Sequence, residues 1–336
     1  MDTLVALPSQ ESIEKACDII KNKEVVALPT ETVYGLFADA TDVAACENIF
    51  KAKERPMDNP LIVHISNYEM LARVAKDVPA DALKLAELFW PGPLTMILKK
   101  TKIIPDEVSA GLDTVGIRMP SNPVILEIIT RTDAPLAGPS ANRSGRPSPT
   151  NAHDVYEDLK GRIPMIIDGG SCDIGVESTV VSLAGEVPII FRPGFITQKQ
   201  IGEALGKEVL LSKGISEELA EGERVLSPGL KHKHYAPKAQ VTIVSASFER
   251  YREIVERDGV AALCFDEYAP RINAQCVTYG AQNDSTQQAQ QLFAALRQLD
   301  EIGATKAYAS MPNLDGVGLA VYNRLLRAAA FRVVNL

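Results

Sequence analysis

Short apolar runs alternate with longer amphipathic stretches over the first two-thirds of the chain. Val25 to Leu28, Leu61 to Ile65, Leu94 to Leu98, Val115 to Met119, Met165 to Ile167, Thr179 to Leu183 and Pro188 to Phe191 have strand length. Most are rich in β-branched residues and are bounded by polar, Gly or Pro residues, which predicts strands. Asp42 to Lys53, Ala80 to Phe89, Pro123 to Thr130 and Ala152 to Leu159 read as helices, the second stopping before Trp90-Pro91-Gly92-Pro93. Many strands with intervening helices predict an α/β sheet of mixed direction. The pattern lapses from Lys207 to Lys238, where Gly, Ser and charges lead into SPGLKHKHYAPKA, and a linker with little regular structure is expected. It then restarts. Gln240 to Ser245, Val260 to Phe265, Cys276 to Tyr279 and Lys306 to Ser310 predict strands, and Phe248 to Arg257, Ser285 to Leu299 and Leu319 to Phe331 predict helices. Ser285 is the expected N-cap of its helix, and Leu292, Leu296 and Leu299 give that helix one apolar face. The expected division is therefore 1–206, a linker at 207–238, and a small αβα unit at 239–336.

Composition narrows the class. The chain has 336 residues, 46% hydrophobic and 23% charged, as in ordinary globular proteins. No apolar run is long enough to span a bilayer, and the start MDTLVALPSQ lacks a signal-peptide pattern. A cytoplasmic protein without membrane contact is expected. Five cysteines, an odd number with no CxxC, suggest neither a disulfide framework nor a zinc site. The net charge of −8 argues against nucleic-acid binding by the whole surface, but it leaves room for a local basic cleft.

The candidate chemistry is concentrated in polar segments at the ends of predicted strands. Pro135 to Thr150 reads PLAGPSANRSGRPSPT, a loop of hydroxyls, an amide and two arginines that suits a polyanion. Ser140, Asn142, Ser144 and Ser148 lie at even spacing, and an extended backbone would turn them to one side. KAKERPMDNPLIVHI (Lys51 to Ile65) places Lys53 and Arg55 at a helix end, a point charge and a fork that together suit a phosphate chain. PTETVYG (Pro29 to Gly35) and GVESTV (Gly175 to Val180) set small hydroxyls beside strands, where an open α/β sheet binds ligands. Arg192, at the end of another strand, is expected to point back over the sheet. There is no GxxxxGK[ST], no GxGxxG, no serine with a convincing His/Asp partner and no strong metal-ligand spacing. The residues themselves imply a phosphate-compatible cleft without a covalent nucleophile.

PTETVYGL, KAKERPMDNPLIVHI, FWPGPLT, PSANRSGRPSPT, GVESTVV, FRPG and SPGLKHKHYAP occur in one order over residues 29 to 237. Together they resemble the threonylcarbamoyl-AMP synthase family, in the long two-domain form of the YrdC-like proteins. The resemblance implies a YrdC-like twisted mixed sheet with helices, followed by a smaller αβα Rossmann-like domain. It implies synthesis of L-threonylcarbamoyl-adenylate from L-threonine, bicarbonate or CO2, and ATP, with release of pyrophosphate, by a nucleotidyltransferase. Mg²⁺ is expected to accompany the ATP. The product feeds threonylcarbamoyl-adenosine modification of tRNA, so downstream threonylcarbamoyl-transfer proteins are implied partners and tRNA an indirect one.

The family's basic pair matches Lys53 and Arg55, and its Ser-x-Asn pair matches Ser140 and Asn142. Lys53, Arg55 and Arg192 are the candidates for phosphate charge. Ser140, Asn142 and Ser148 are candidates for phosphate or ribose hydrogen bonds, with Asn59 and Thr114 as further nucleotide contacts. Thr32, His64, Arg118, Gly138 and Ser178 are expected at threonine, Arg118 because a guanidinium matches a carboxylate bidentately. Gly138 stands where the family usually has Ala, a departure expected to loosen the pocket wall, and His232-Lys233 replace the more usual Tyr-Arg. Ser227 to Pro237 is expected to act as a lid, with Tyr235 meeting a phosphate and Lys231, Lys233 and Lys238 adding favourable field. Double-stranded RNA binding or ribosome maturation without catalysis is the alternative, weakened by the net charge. Carbamoyl transfer like that of hydrogenase-maturation relatives would need acylphosphatase and zinc modules for which the sequence carries no motif.

Overall fold

The computed structural model describes residues 2–217 and 235–336. Eleven strands form one sheet: β1 (Leu4–Ala6), β2 (Val26–Leu28), β3 (Gly35–Asp39), β4 (Ile62–His64), β5 (Leu94–Lys99), β6 (Thr114–Arg118), β7 (Leu136–Gly138), β8 (Met165–Ile167), β9 (Thr179–Ser182), β10 (Ile189–Arg192) and β11 (Leu210–Leu211). Their spatial order is β1-β8-β2-β3-β7-β4-β6-β5-β9-β10-β11. Pairing is mixed, for example parallel between β4 and β6 and antiparallel between β4 and β7. The helices of this unit are α1 (Gln10–Lys21), α2 (Val43–Lys53), α3 (Tyr68–Val74), α4 (Ala80–Phe89), α5 (Asp106–Ser109), α6 (Pro123–Thr132), α7 (Ala152–Leu159) and α8 (Gln198–Leu205). One continuous apolar cluster joins them to the sheet.

Lys207 to Ser216, expected to hold little regular structure, contains β11 and a 3-10 turn at Lys213–Ile215. The reason is pairing: β11 adds to β10 in parallel and so extends the sheet.

The second sheet has five strands, β12 (Gln240–Ser245), β13 (Ala261–Cys264), β14 (Cys276–Thr278), β15 (Lys306–Ser310) and β16 (Val333–Asn335), all parallel, in the order β14-β13-β15-β12-β16. Helix α9 (Phe248–Asp258) buries its apolar side in one cluster, and α10 (Ser285–Glu301) and α11 (Val317–Ala328) bury theirs in another. The cap of α10 is Asp284, whose side chain accepts from the Gln287 N–H, so the expected N-cap Ser285 is the first helical residue. Carboxylate and hydroxyl both cap well, and the sequence DS offers two adjacent candidates. Val33 and Val176, from loops of the first unit, and Tyr235 are buried in the same cluster as α10 and α11. Among the described residues no helix is long and apolar enough to cross a membrane.

Candidate active site

Strand alternation builds the pocket floor. Ile62 pairs with Gly138, and Gly35 bridges to Ser140. Positions 35 and 37, 62 and 64, 138 and 140 therefore share one face of the sheet, and all of them line one pocket. Thr30, Thr32 and Val33 border it after β2, Glu177 and Ser178 before β9, Arg118 and Arg192 at the ends of β6 and β10. The space that Gly138 leaves is not empty. A Cβ there would meet the Phe37 ring at 2.3 Å and the Leu36 carbonyl at 2.8 Å. The expected loosening of the wall is thus not seen, because Phe37 fills it.

Helix α2 delivers the basic pair. Two residues apart on a helix, Lys53 and Arg55 would point about 200° apart. Glu54, however, caps α2 in the left-handed conformation (φ 54°), which bends the chain so that both side chains line the pocket. They do different things there. Lys53 is 1% exposed, and its Nζ donates to the Ser140 carbonyl at 2.5 Å and to the Asn142 carbonyl. It is no surface group, and burial holds its pKa well below the ordinary lysine value. Its Nζ fixes the backbone of the Ser-x-Asn loop. Arg55 makes only long contacts, from NH2 to the carbonyls of Asn59 and Pro60 at 3.4 Å each. Its Nε has no hydrogen-bond partner among the described residues. Burial pushes its pKa down to about 10, which leaves it charged at neutral pH.

The loop itself is not extended. Residues 141–146 turn, with Gly145 at φ 89°, so the even spacing of hydroxyls does not carry to its end. Ser140, Asn142 and Ser144 line the pocket; Ser148 does not, and donates to Glu177 Oε1 at 2.5 Å. Asn59 and Thr114 also lie outside the lining. Asn59 is buried beside Arg55 with its Oδ1 unpartnered among the described residues, and Thr114 opens β6 opposite Lys99.

Around Arg118 the contacts are denser. Its Nε donates to the Gly92 carbonyl at 3.2 Å and its NH1 to Thr32 Oγ1 at 2.9 Å. Its NH2 lies 2.7 Å from Glu31 Oε1, an ion pair whose angles make no hydrogen bond. NH2 and both Glu31 oxygens therefore keep hydrogen-bonding capacity. Burial first, and the Arg118 charge second, push the His64 pKa down to about 3, so this imidazole is neutral at physiological pH. Arg192 turns back as expected and donates from Nε to the Ser178 carbonyl at 3.0 Å and from NH2 to Ser178 Oγ at 3.1 Å.

Tyr235 is buried and lines the pocket, and Ala236 N–H donates to the Gly145 carbonyl at 2.9 Å. The rest of the expected lid, with Lys231, His232, Lys233 and His234, lies outside the described residues. Among the described lining residues, Lys53 and three arginines, Arg55, Arg118 and Arg192, share the pocket with one carboxylate, Glu177. That carboxylate is already held by Ser148 and Arg324, and among the described residues no cluster of His, Cys, Asp and Glu could hold a metal. The protein side of the pocket does not fit a protein-bound metal ion. Glu31 and Glu177 carry these charge contacts without having been assigned roles from sequence, although both stand inside the quoted motifs.

A family model described as telomere recombination matches residues 18–194. One described as the threonylcarbamoyl-AMP synthase C-terminal domain matches residues 196–330. A threonylcarbamoyl-AMP synthase of Pyrococcus abyssi is 40% identical over 330 residues, covering 96% of this chain and 95% of its own. One of Bacillus subtilis is 43% identical over 330 residues, covering 96% and 94%. The crystal structure of P. abyssi Sua5 complexed with L-threonine superposes with a TM-score of 0.93 at 38% identity, covering 99% of this chain and 100% of that one.

Proposed function

The chain belongs to the threonylcarbamoyl-AMP synthase family, and from that premise we propose how its pocket assigns the two substrates, L-threonine and ATP. It is an enzyme, a transferase that makes threonylcarbamoyl-AMP. The double-stranded RNA reading is not favoured by these relatives.

The observation that carries the assignment is the division of one pocket into a partnered arginine corner and a cation-lined loop. Threonine lies at the Arg118 corner. The unused NH2 capacity of Arg118 takes its carboxylate, and neutral His64 and Gly138 shape the cavity. Two hydroxyls are candidates for the threonine side chain. Thr30 Oγ1 donates to the Val33 carbonyl, so Thr32 Oγ1 must donate to Thr30 and can only accept from a ligand. Ser178 Oγ shares a hydrogen bond with Thr95 and accepts from Arg192, so its proton is free for a ligand when Thr95 donates.

The nucleotide lies along Arg55, Ser140 and Asn142, with Arg192 and Tyr235 beside its phosphates and Lys53 holding the loop from below. Asn59, beside Arg55, and Ser148, bonded to Glu177, support this end indirectly, and Thr114, at the far end of β6 from Arg118, lies outside the lining. Mg²⁺ would enter as part of the ATP substrate and supply charge neutralisation on the triphosphate, with no side chain of the described residues assigned to it.

The chemistry needs no nucleophile from the protein. The neutral threonine nitrogen forms a bond to the carbon of CO2, supplied by bicarbonate, and loses a proton to give a carbamate. A carbamate oxygen attacks the α-phosphorus, the bond from that phosphorus to the bridging oxygen breaks, and pyrophosphate leaves. The protein's contributions are to hold the reactants together and to neutralise phosphate charge in a buried site. The product is a substrate for downstream threonylcarbamoyl-transfer proteins acting on tRNA.

Mass spectrometry of products from ATP, L-threonine and ¹³C-bicarbonate tests this reading. It predicts threonylcarbamoyl-AMP carrying the label, together with pyrophosphate. Consumption of ATP without labelled adenylate would overturn it.

A further inference from the structure

The C-terminal unit sends one side chain to the wall of the pocket. Arg324 on α11 is fully buried. Its Nε donates to Glu177 Oε2 at 2.7 Å, its NH2 to the Glu177 carbonyl at 3.1 Å and its NH1 to the Pro193 carbonyl at 2.8 Å. Arg324 does not line the pocket, whereas Glu177 does and is the only carboxylate among the described lining residues. Glu177 and Pro193 flank Ser178 and Arg192, so one guanidinium from the second unit backs both segments that carry them.

We propose that Arg324 is a positioning residue for ATP: it neutralises Glu177 from behind, so that nucleotide affinity in the first unit depends on a side chain of the second. The inference rests on the reading that a polyphosphate occupies this pocket. A buried carboxylate stripped of its partner is an uncompensated charge. Facing a triphosphate, it would oppose the field of Lys53, Arg55 and Arg192. The charged and titratable groups around Glu177 are Arg324, Arg192, Lys53 and Tyr235, with the Ser148 hydroxyl bonded to it. Burial alone would raise the Glu177 pKa. The Arg324 and Arg192 charges and the Ser148 bond outweigh it and hold the group below its ordinary value, ionised at neutral pH. Without Arg324 the largest opposing charge is gone and the pKa rises. The uncompensated carboxylate then faces the nucleotide, and ATP affinity falls.

The test uses full-length protein in three variants: Arg324→Gln, Arg324→Lys and the double variant Arg324→Gln with Glu177→Gln. Initial rates are measured against ATP at saturating threonine and bicarbonate at neutral pH, and threonine affinity is measured by calorimetry. Arg324→Gln is expected to raise the KM for ATP about ten-fold or more, with little change in threonine affinity. Arg324→Lys keeps the charge and should recover much of the loss. The double variant should bind ATP better than Arg324→Gln, because the opposing carboxylate is gone. Parallel losses of ATP and threonine affinity, or a double variant no better than the single one, would each overturn the proposal. If Arg324→Gln does not fold, Arg324→Lys and the double variant are compared with wild type, and a KM for ATP raised ten-fold in both would overturn it. A wild-type enzyme indifferent to ATP would instead sink the nucleotide reading, which separates the two failures.

Discussion

Arg118 and Arg55 are both buried arginines lining the same pocket, and the protein surrounds them differently. Arg118 has Gly92, Thr32 and Glu31 on its three nitrogens. Among the described residues Arg55 has two hydrogen bonds, both at 3.4 Å, and an unpartnered Nε. The first guanidinium is oriented before a ligand arrives, and little ordering remains when a small amino acid binds it. The second is a charge whose remaining donors are left for a ligand. A carboxylate needs one fixed direction; a phosphate chain presents many oxygens and tolerates a looser partner. Selectivity should therefore reside at the Arg118 corner and charge at the Arg55 end.

The largest expected effect is in substrate choice. If the Arg118 corner hydrogen-bonds the threonine hydroxyl, valine, which lacks it, should be used about 10⁴-fold less well than threonine, because a buried polar group is left unpaired. Serine, which lacks only a methyl, should lose about 10-fold to 200-fold at most. Equal calorimetric affinity for threonine and valine would contradict the hydroxyl contact.

Crossing two substitutions separates the two ends. Arg118→Lys keeps the charge beside Glu31 but loses the fork, and it should weaken threonine binding by about 10- to 100-fold, the worth of a charge-assisted contact. Arg55→Ala should leave threonine affinity near wild type and lower adenylate formation about ten-fold or more. If both variants lose threonine affinity equally, the division of the pocket is wrong.

Lys53→Ala distinguishes holding a loop from touching a phosphate. Removing Nζ strands the Ser140 and Asn142 carbonyls, each of which it now satisfies. The expected cost is about 1–3 kcal/mol of stability, read as a lower denaturation midpoint than that of Arg55→Ala. Equal midpoints with equal losses of rate would return Lys53 to a direct phosphate role.

The smallest effect concerns pH. His64 binds a proton at about pH 6.5 in the unfolded chain and at about 3 in the folded one. Between those values the unfolded state holds more protons, so stability falls as pH drops from 6.5 toward 3. Replacing His64 with Gln should flatten that part of a melting-temperature profile, and an unchanged slope would argue against a buried neutral imidazole.

Much of this was legible in the sequence, for reasons particular to each segment. Ala80–Phe89, Ala152–Leu159, Met165–Ile167 and Gln240–Ser245 appear with the expected limits, because length and periodicity agreed there. Strand β3 is not legible because Gly35 to Asp39 has no alternation, and antiparallel pairing with β2 and β7 decides its state. In the pocket, residue types pointed to anion binding, but side-chain direction did not follow from them. The left-handed cap at Glu54 brings Arg55 back to the pocket that Lys53 enters from the last turn of α2, and the bend at Gly145 separates Ser148 from the hydroxyls before it. The Glu177–Arg324 pair spans 147 residues, and no local pattern could join its members.

Calorimetry of L-threonine against nucleotide-free protein bears most directly on the claim that the Arg118 corner is built in advance. The account predicts saturable one-site binding without ATP, weakened by Arg118→Lys and indifferent to Arg55→Ala. Threonine binding that appears only once ATP is present would contradict it.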